Sequence, residues 1–155
     1  METRLTSPNN PAESGGDKEF MVDKMVTAVR IDVDGTAAVI ELAGTEERGV
    51  GTALRAALDC RMFDVVRIGP GLDMWIDEEG LLVGEPVVNR VATLIARAHG
   101  FVWQPYMGAV VFTSVDDEGE TLSLREGQVE ALLTTARLGG AVVVDATVDA
   151  AEVGA

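Results

Sequence analysis

The chain has 155 residues, of which 47% are hydrophobic, and it carries a formal net charge of −14. This composition supports a folded core in a single domain of ordinary length, and no apolar run is long enough to span a membrane. Direct binding to nucleic acid is not expected, because the negative field repels phosphates and such binding requires a basic patch.

The first 24 residues are predicted to form a flexible N-terminal arm. They are rich in Pro, Asn, Gly and Ser and show no periodicity. They also lack the basic region and apolar core of a signal peptide. Cys60 is the only cysteine and cannot form an internal disulfide, which is typical of a reducing compartment. We therefore expect a cytoplasmic protein.

Residues 25–140 are predicted to form one α+β domain with two β-hairpins, each followed by a helix. Apolar alternation from Val26 and the Asp34-Gly35 pair predict the first hairpin, because both turn positions favour residues that tolerate positive φ. The first helix is expected over residues 50–59. Residues 62–68 are rich in β-branched side chains and are predicted to form a separate strand that Gly69-Pro70-Gly71 ends.

The second hairpin is predicted to pair Leu72–Asp77 with residues 81–83 through a turn at Glu78-Glu79-Gly80. Asn89 is a good N-cap for a second helix over residues 90–99, which Gly100 ends.

The last third of the domain is predicted to contain further strand and a C-terminal helix. Strands are expected at residues 101–103 and 108–113, a loop at 116–120 and the helix over 125–138. Residues 141–155 are expected to form an edge strand or a loose acidic tail. The strands together predict a small mixed or antiparallel sheet.

Two sets of residues are candidates for binding a ligand or a partner. Asp73, Trp75 and Asp77 share one face of their strand, and a large aromatic on a polar face is typical of a contact surface. Alternatively, a helix covers that face and Trp75 belongs to the core. The second set, Asn89, Thr93 and Arg97, lines up at i, i+4 and i+8 of a helix, although Asn89 and Thr93 also suit a helix start.

The run Asp32-Val33-Asp34-Gly35-Thr36 matches the nucleophile motif of haloacid-dehalogenase-like phosphatases. That chemistry needs a cation on the phosphoryl group, commonly a downstream lysine, and the chain has no lysine after Lys24. An Asp-Gly turn is the favoured interpretation. No catalytic residues, cofactor or metal site are predicted, because Cys60 stands alone, His99 lies at a helix end and no phosphate-binding loop is present.

Several segments resemble an uncharacterised family, catalogued as domain of unknown function 3846. They are Asp34-Gly35-Thr36 and the residues 72–80, 84–89, 91–93, 108–113 and 128–133, whereas Arg90 departs from the family pattern. Members of that family are often carried by phages, plasmids and integrated elements. The resemblance implies a mobile-element accessory protein without an established activity, and it carries over no catalytic residues.

The leading functional hypothesis is a small acidic protein that binds a host protein or a second copy of itself through the face around Trp75. A counter-defence inhibitor is one version of this hypothesis. The alternative is a nucleotide or small-molecule binder in which Trp75 stacks a base and Asn89, Thr93 and Arg97 supply polar contacts. A metal-assisted phosphohydrolase that uses Asp32 and Asp34 is the least favoured hypothesis.

Overall fold

The computed structural model describes residues 22–79, 87–102 and 104–144. These residues form one seven-stranded mixed sheet with three helices, which confirms the predicted α+β class. None of these three helices is long and apolar enough to cross a membrane. In chain order the elements are β1 (Lys24–Ile31), β2 (Thr36–Gly44), α1 (Gly51–Leu58), β3 (Phe63–Gly69), β4 (Leu72–Asp77), α2 (Arg90–Ala98), β5 (Val110–Val115), β6 (Thr121–Leu122), α3 (Glu126–Leu138) and β7 (Val142–Val143).

The strand order is β3-β4-β5-β1-β2-β7, with β6 paired to β5. Only β7 runs parallel to its neighbour, and the other pairs are antiparallel. We call the end of the sheet at which β1 ends and β2 begins the upper end, and the opposite end the lower end.

The first hairpin has its predicted place, and its turn is closed by side-chain as well as backbone bonds. The N–H of Asp32 donates to the carbonyl of Thr36 (2.9 Å), and Gly35 takes a φ of 90°. Asp34 Oδ1 accepts from both the N–H (2.9 Å) and the hydroxyl (2.8 Å) of Thr36. A carboxylate that accepts two hydrogen bonds favours its charged form, so these bonds lower the pKa of Asp34.

The second hairpin is formed by a different pair of strands from the predicted pair. Leu72–Asp77 pairs with the preceding strand Phe63–Gly69, and the proposed return strand at residues 81–83 lies outside the described residues. The sequence around Pro70 is therefore a hairpin turn rather than a break, because Gly71 adopts a φ of 71° that other residues rarely take. On its other side β4 pairs with β5.

The sheet carries a separate apolar cluster on each face, as strand alternation requires. Val26 and Ala28 of β1 face one way and pack with α1, through Leu54, Ala57 and Leu58. Val29 and Ile31 face the other way and pack with α2 and α3, through Val91, Ile95, Leu132 and Ala136. Helix α1 thus covers one face, and the other two helices cover the opposite face.

Two details near the end of α2 and in β5 correct the sequence expectations. No strand forms at Phe101–Val102, because the N–H of Phe101 donates to the Ala96 carbonyl (2.9 Å) and closes the end of α2 instead. The third residue of that predicted strand, Trp103, lies outside the described residues. The next strand begins at Val110, two residues later than residue 108, where the sequence suggested.

The remaining expectations agree closely with the structure. The loop at 116–120 is present, and α3 ends before Gly139-Gly140. An edge strand follows at Val142–Val143, parallel to the start of β2. The predicted arm up to residue 21 and the tail after residue 144 lie outside the described residues.

The turn predicts an acid-dependent contribution of Asp34 to stability. Because its pKa in the folded state is lowered, this contribution is complete above the ordinary pKa of 3.8 and is lost as pH falls through the lowered value. At neutral pH, we expect the Asp34→Asn variant to have a lower free energy of unfolding than wild type. The difference should be less than about 1 kcal/mol, because Asp34 is exposed. Urea unfolding of both proteins, from neutral pH to below the lowered pKa of Asp34, measures this difference in free energy. A difference that is the same at every pH would contradict the prediction.

Candidate functional site

Trp75 is half-buried on the face of the sheet that α1 covers. Its indole N–H donates to Thr113 Oγ1 (2.8 Å), and its ring meets Phe63 edge-on with centroids 5.3 Å apart. The Thr113 side chain is fully buried. Of the two interpretations of Trp75, the structure therefore shows a helix-covered face and an indole that is satisfied inside the protein.

The two aspartates that flank Trp75 in β4 have different surroundings. Asp73 is only 4% exposed and forms an ion pair with Arg67, the residue directly opposite it on β3. Asp77 accepts a hydrogen bond from the N–H of Glu79 (2.9 Å) and lies at the upper end of the sheet. Asp77 lines a cleft at that end, and Trp75 does not line the same cleft.

Asn89 is fully buried, and its side chain makes three hydrogen bonds. Its Oδ1 accepts from the N–H of Ala92 (3.0 Å), as a helix N-cap does. Its Nδ2 donates to the carbonyls of Ile31 (3.0 Å) and Gly108 (2.9 Å). The side chain thus ties the start of α2 to the end of β1 and to the segment before β5.

The other two residues of the α2 stripe do not extend a site from Asn89. Thr93 Oγ1 accepts from the N–H of Tyr106 (3.0 Å), and Arg97 is exposed. Since α2 packs on the face opposite to Trp75, the two candidate sets are separated by the sheet. They do not form the single pocket that a base stacked on Trp75 and bonded to Asn89 would need.

A cleft of about 870 Å³ opens at the upper end of the sheet, and we call it the upper cleft. Its walls come from the end of β1, the end of α1, the end of β4 and the segment before β5. Its charged lining consists of Arg30, Arg55, Arg61, Asp32, Asp59, Asp77 and Glu79, and its apolar lining includes Val33, Leu58, Val87, Met107 and Ala109.

Two of the three arginines are paired inside the upper cleft. Arg30 donates to Asp32 (3.1 Å) and to the Ala57 carbonyl at the end of α1 (2.9 Å). Arg61 donates to both carboxylate oxygens of Glu79 (3.1 Å each). Three charges remain without an ion pair to the described residues, and they are Arg55, Asp59 and Asp77.

Two further features of the upper cleft are the Cys60 thiol and the backbone at Asp59. Burial raises the pKa of the Cys60 thiol, and the nearby Asp77 carboxylate raises it further, so the reactive thiolate is disfavoured. Asp59 takes a left-handed backbone conformation (φ 53°) that ends α1 and directs the chain towards Cys60.

The phosphatase-like motif does not assemble as a catalytic pair. Asp32 bonds to Arg30 and to the N–H of Val33, whereas Asp34 bonds to Thr36 within the turn. No group of three or more metal-ligating side chains occurs in the part of the chain that the structure describes.

Comparison with known families finds a match. The family described as domain of unknown function 3846 (DUF3846) matches residues 26–137, which is more than half of the chain. The chain belongs to the DUF3846 family. This confirms the resemblance that the sequence segments indicated. The searches of curated proteins and of solved structures found no match.

The sequence did not single out the three arginines that line the upper cleft of this DUF3846 domain. Arg55 and Arg61 flank the end of α1, and Arg30 enters the cleft from the middle of the sheet. Arg30 alone gives a usable signal, because it interrupts the apolar residues at the end of β1. A charge in a central strand must find partners, and those partners mark the cleft.

We predict that Asn89→Ala lowers the free energy of unfolding by about 3 kcal/mol, because it leaves two carbonyls and one N–H unpaired in a buried site. Asn89→Asp is the matched variant, since it keeps the N-cap acceptor but turns an oxygen towards the two carbonyls. It should destabilise the domain at neutral pH at least as much as Asn89→Ala. Denaturant unfolding measures both variants, and a nearly neutral Asn89→Asp would show that only the cap matters.

We also predict an energetic coupling between Trp75 and Thr113. In a double-mutant cycle of Trp75→Phe and Thr113→Val, the coupling should be about 1 kcal/mol, the net value of one buried hydrogen bond. The control cycle pairs Trp75→Phe with Thr93→Val, which lies on the opposite face, and should give a coupling near zero. Equal couplings in the two cycles would contradict the hydrogen bond.

Proposed function

We propose that this DUF3846 domain is a cytoplasmic interaction protein that binds a basic partner protein at the upper cleft. The observation that carries the proposal is the combination of unpaired carboxylates and exposed apolar side chains at one place. Asp59 and Asp77 lack a cationic partner among the described residues, and Val33 and Val87 beside them are 37% and 56% exposed. Apolar contact with charge complementarity at its edge is the usual composition of a protein interface.

The charge of the whole chain supports a basic partner. A net charge of −14 raises the rate of encounter with a positively charged protein and repels acidic ones. The lining of the upper cleft is itself negative by one charge, since it holds four carboxylates and three arginines.

A basic protein fits the acidic side chains better than mimicry of a nucleic acid does. The exposed carboxylates are spread over the domain and do not follow one face. Glu78 lies at the upper end, Asp117 and Glu118 lie in a loop at the lower end, and Glu130 lies on α3. The proposal includes a role as a mobile-element accessory protein, and counter-defence is one form of that role. Only the family resemblance supports this part of the proposal.

A quantitative pull-down from a lysate of the cells in which the protein occurs tests this function. We expect wild type to retain a basic protein, and Asp59→Asn/Asp77→Asn to retain it about tenfold more weakly, because it removes both unpaired carboxylates. Asparagine suits the left-handed conformation at residue 59, which limits the effect on folding.

The matched control is Asp117→Asn/Glu118→Gln, which makes the same change in net charge at the lower end. It should retain the partner as wild type does. Equal losses in the two double variants would show a non-specific effect of charge. Unchanged retention in the cleft variant would remove the upper cleft from the proposal.

A further inference from the structure

A second cavity of about 540 Å³ lies at the lower end, on the face that carries α2 and α3, and we call it the lower cavity. It is bounded by the end of α2, one side of α3 and the turn between β3 and β4. Leu72 and Leu132 are buried and form its floor, and the exposed residues Ala98 and Ala131 lie nearer its opening. This volume is within the range of small-molecule sites.

The lower cavity exists because the side of α3 that faces it is built of small residues. Gly127, Ala131 and Thr135 follow one another at i, i+4 and i+8, so they line one side of the helix. Gln128 connects α3 to the turn between β3 and β4, because its Nε2 donates to the carbonyl of Gly71 (3.2 Å). Its Oε1 accepts from the N–H of Arg125 (2.8 Å) and caps the start of the helix.

The polar side chains around the lower cavity are mostly engaged within the protein. His99 Nδ1 bonds to the carbonyl of Ile95 (2.9 Å), which fixes the ring beside Gly69 as a wall. Both ends of the Gln128 amide are also occupied. The guanidinium of Arg125 is exposed and makes no ion pair with the described residues.

The charge of the lower cavity is opposite to that of the chain. Its lining among the described residues contains Arg125 and no carboxylate, whereas the upper cleft contains four. In a chain of net charge −14, an apolar space with a lone arginine at its edge favours one kind of ligand. A cation would find no counter-charge there, and a highly charged phosphate would meet one arginine within a repulsive field.

We propose that the lower cavity binds an apolar monocarboxylate, with its hydrocarbon part on Leu72 and Leu132 and its carboxylate on the guanidinium of Arg125. Burial of the hydrocarbon supplies most of the affinity, and the charge-assisted hydrogen bonds to Arg125 select the acid over a neutral or cationic analogue. This site is independent of the proposed partner at the upper cleft.

Isothermal titration calorimetry with sodium octanoate tests the site, with octanol and octylamine as probes of the same chain length. We expect saturable binding of octanoate with a Kd of about 1 mM or tighter, and weaker binding of the other two probes. Arg125→Gln should weaken octanoate binding about tenfold. Ala131→Trp should abolish it by filling the cavity from an exposed position of α3, with folding confirmed by circular dichroism and thermal unfolding.

The matched control is Arg137→Gln, which removes the same charge from the other end of α3 and should bind octanoate as wild type does. The proposal is overturned if wild type shows no saturation up to about 10 mM octanoate. It is also overturned if octanol or octylamine binds equally well, if Arg125→Gln and Arg137→Gln behave alike, or if a folded Ala131→Trp still binds.

Discussion

The side-chain amide of Asn89 is the contact on which the arrangement of this domain depends. The residue is fully buried, and its three side-chain hydrogen bonds join three segments that are far apart in the chain. Its backbone adds a bond to the carbonyl of Tyr106 (2.8 Å). A buried amide whose oxygen and both N–H groups are hydrogen-bonded favours one arrangement, because other arrangements leave these polar groups unpaired in an apolar core.

The same contact shapes the upper cleft. Ile31, whose carbonyl accepts from Asn89, lies between Arg30 and Asp32, and both of these neighbours line the cleft. Gly108 accepts the second bond and itself lines the cleft, together with the residues on either side of it. Asn89 therefore positions two of the cleft walls from behind, although its own side chain lies on the other side of the sheet from Trp75.

The sequence predicted those features that depend on neighbours in the chain. The Asp34-Gly35 turn and the Asn89 cap are local, and both are where their residue types indicate. The turn at Gly69-Pro70-Gly71 was misread, because glycine and proline end a strand and reverse it with equal ease. The sequence therefore led to a prediction that Leu72–Asp77 pairs with residues 81–83, whereas it pairs with Phe63–Gly69.

The candidate site was harder to predict from the sequence, because its contacts join residues that are far apart in the chain. The role of Asn89 as a donor depends on Ile31, which lies 58 positions away, and no periodicity reveals a contact of that separation. The arginines of the upper cleft likewise come from a strand, a helix and a loop. Trp75 drew notice as an aromatic on a polar face, but Thr113 and Phe63, which explain its position, lie on other strands.

The two proposed sites lie at opposite ends of α2, which raises the question of coupling between them. Asn89 fixes the start of the helix, and the N–H groups of His99, Gly100 and Phe101 bond to carbonyls in its last turn. Coupling requires an element with two discrete arrangements that both sites can bias. A helix that is hydrogen-bonded at both ends and packed on buried apolar residues is poorly suited to that role. We therefore expect the basic partner and the carboxylate to bind independently, each with an affinity that does not depend on the other.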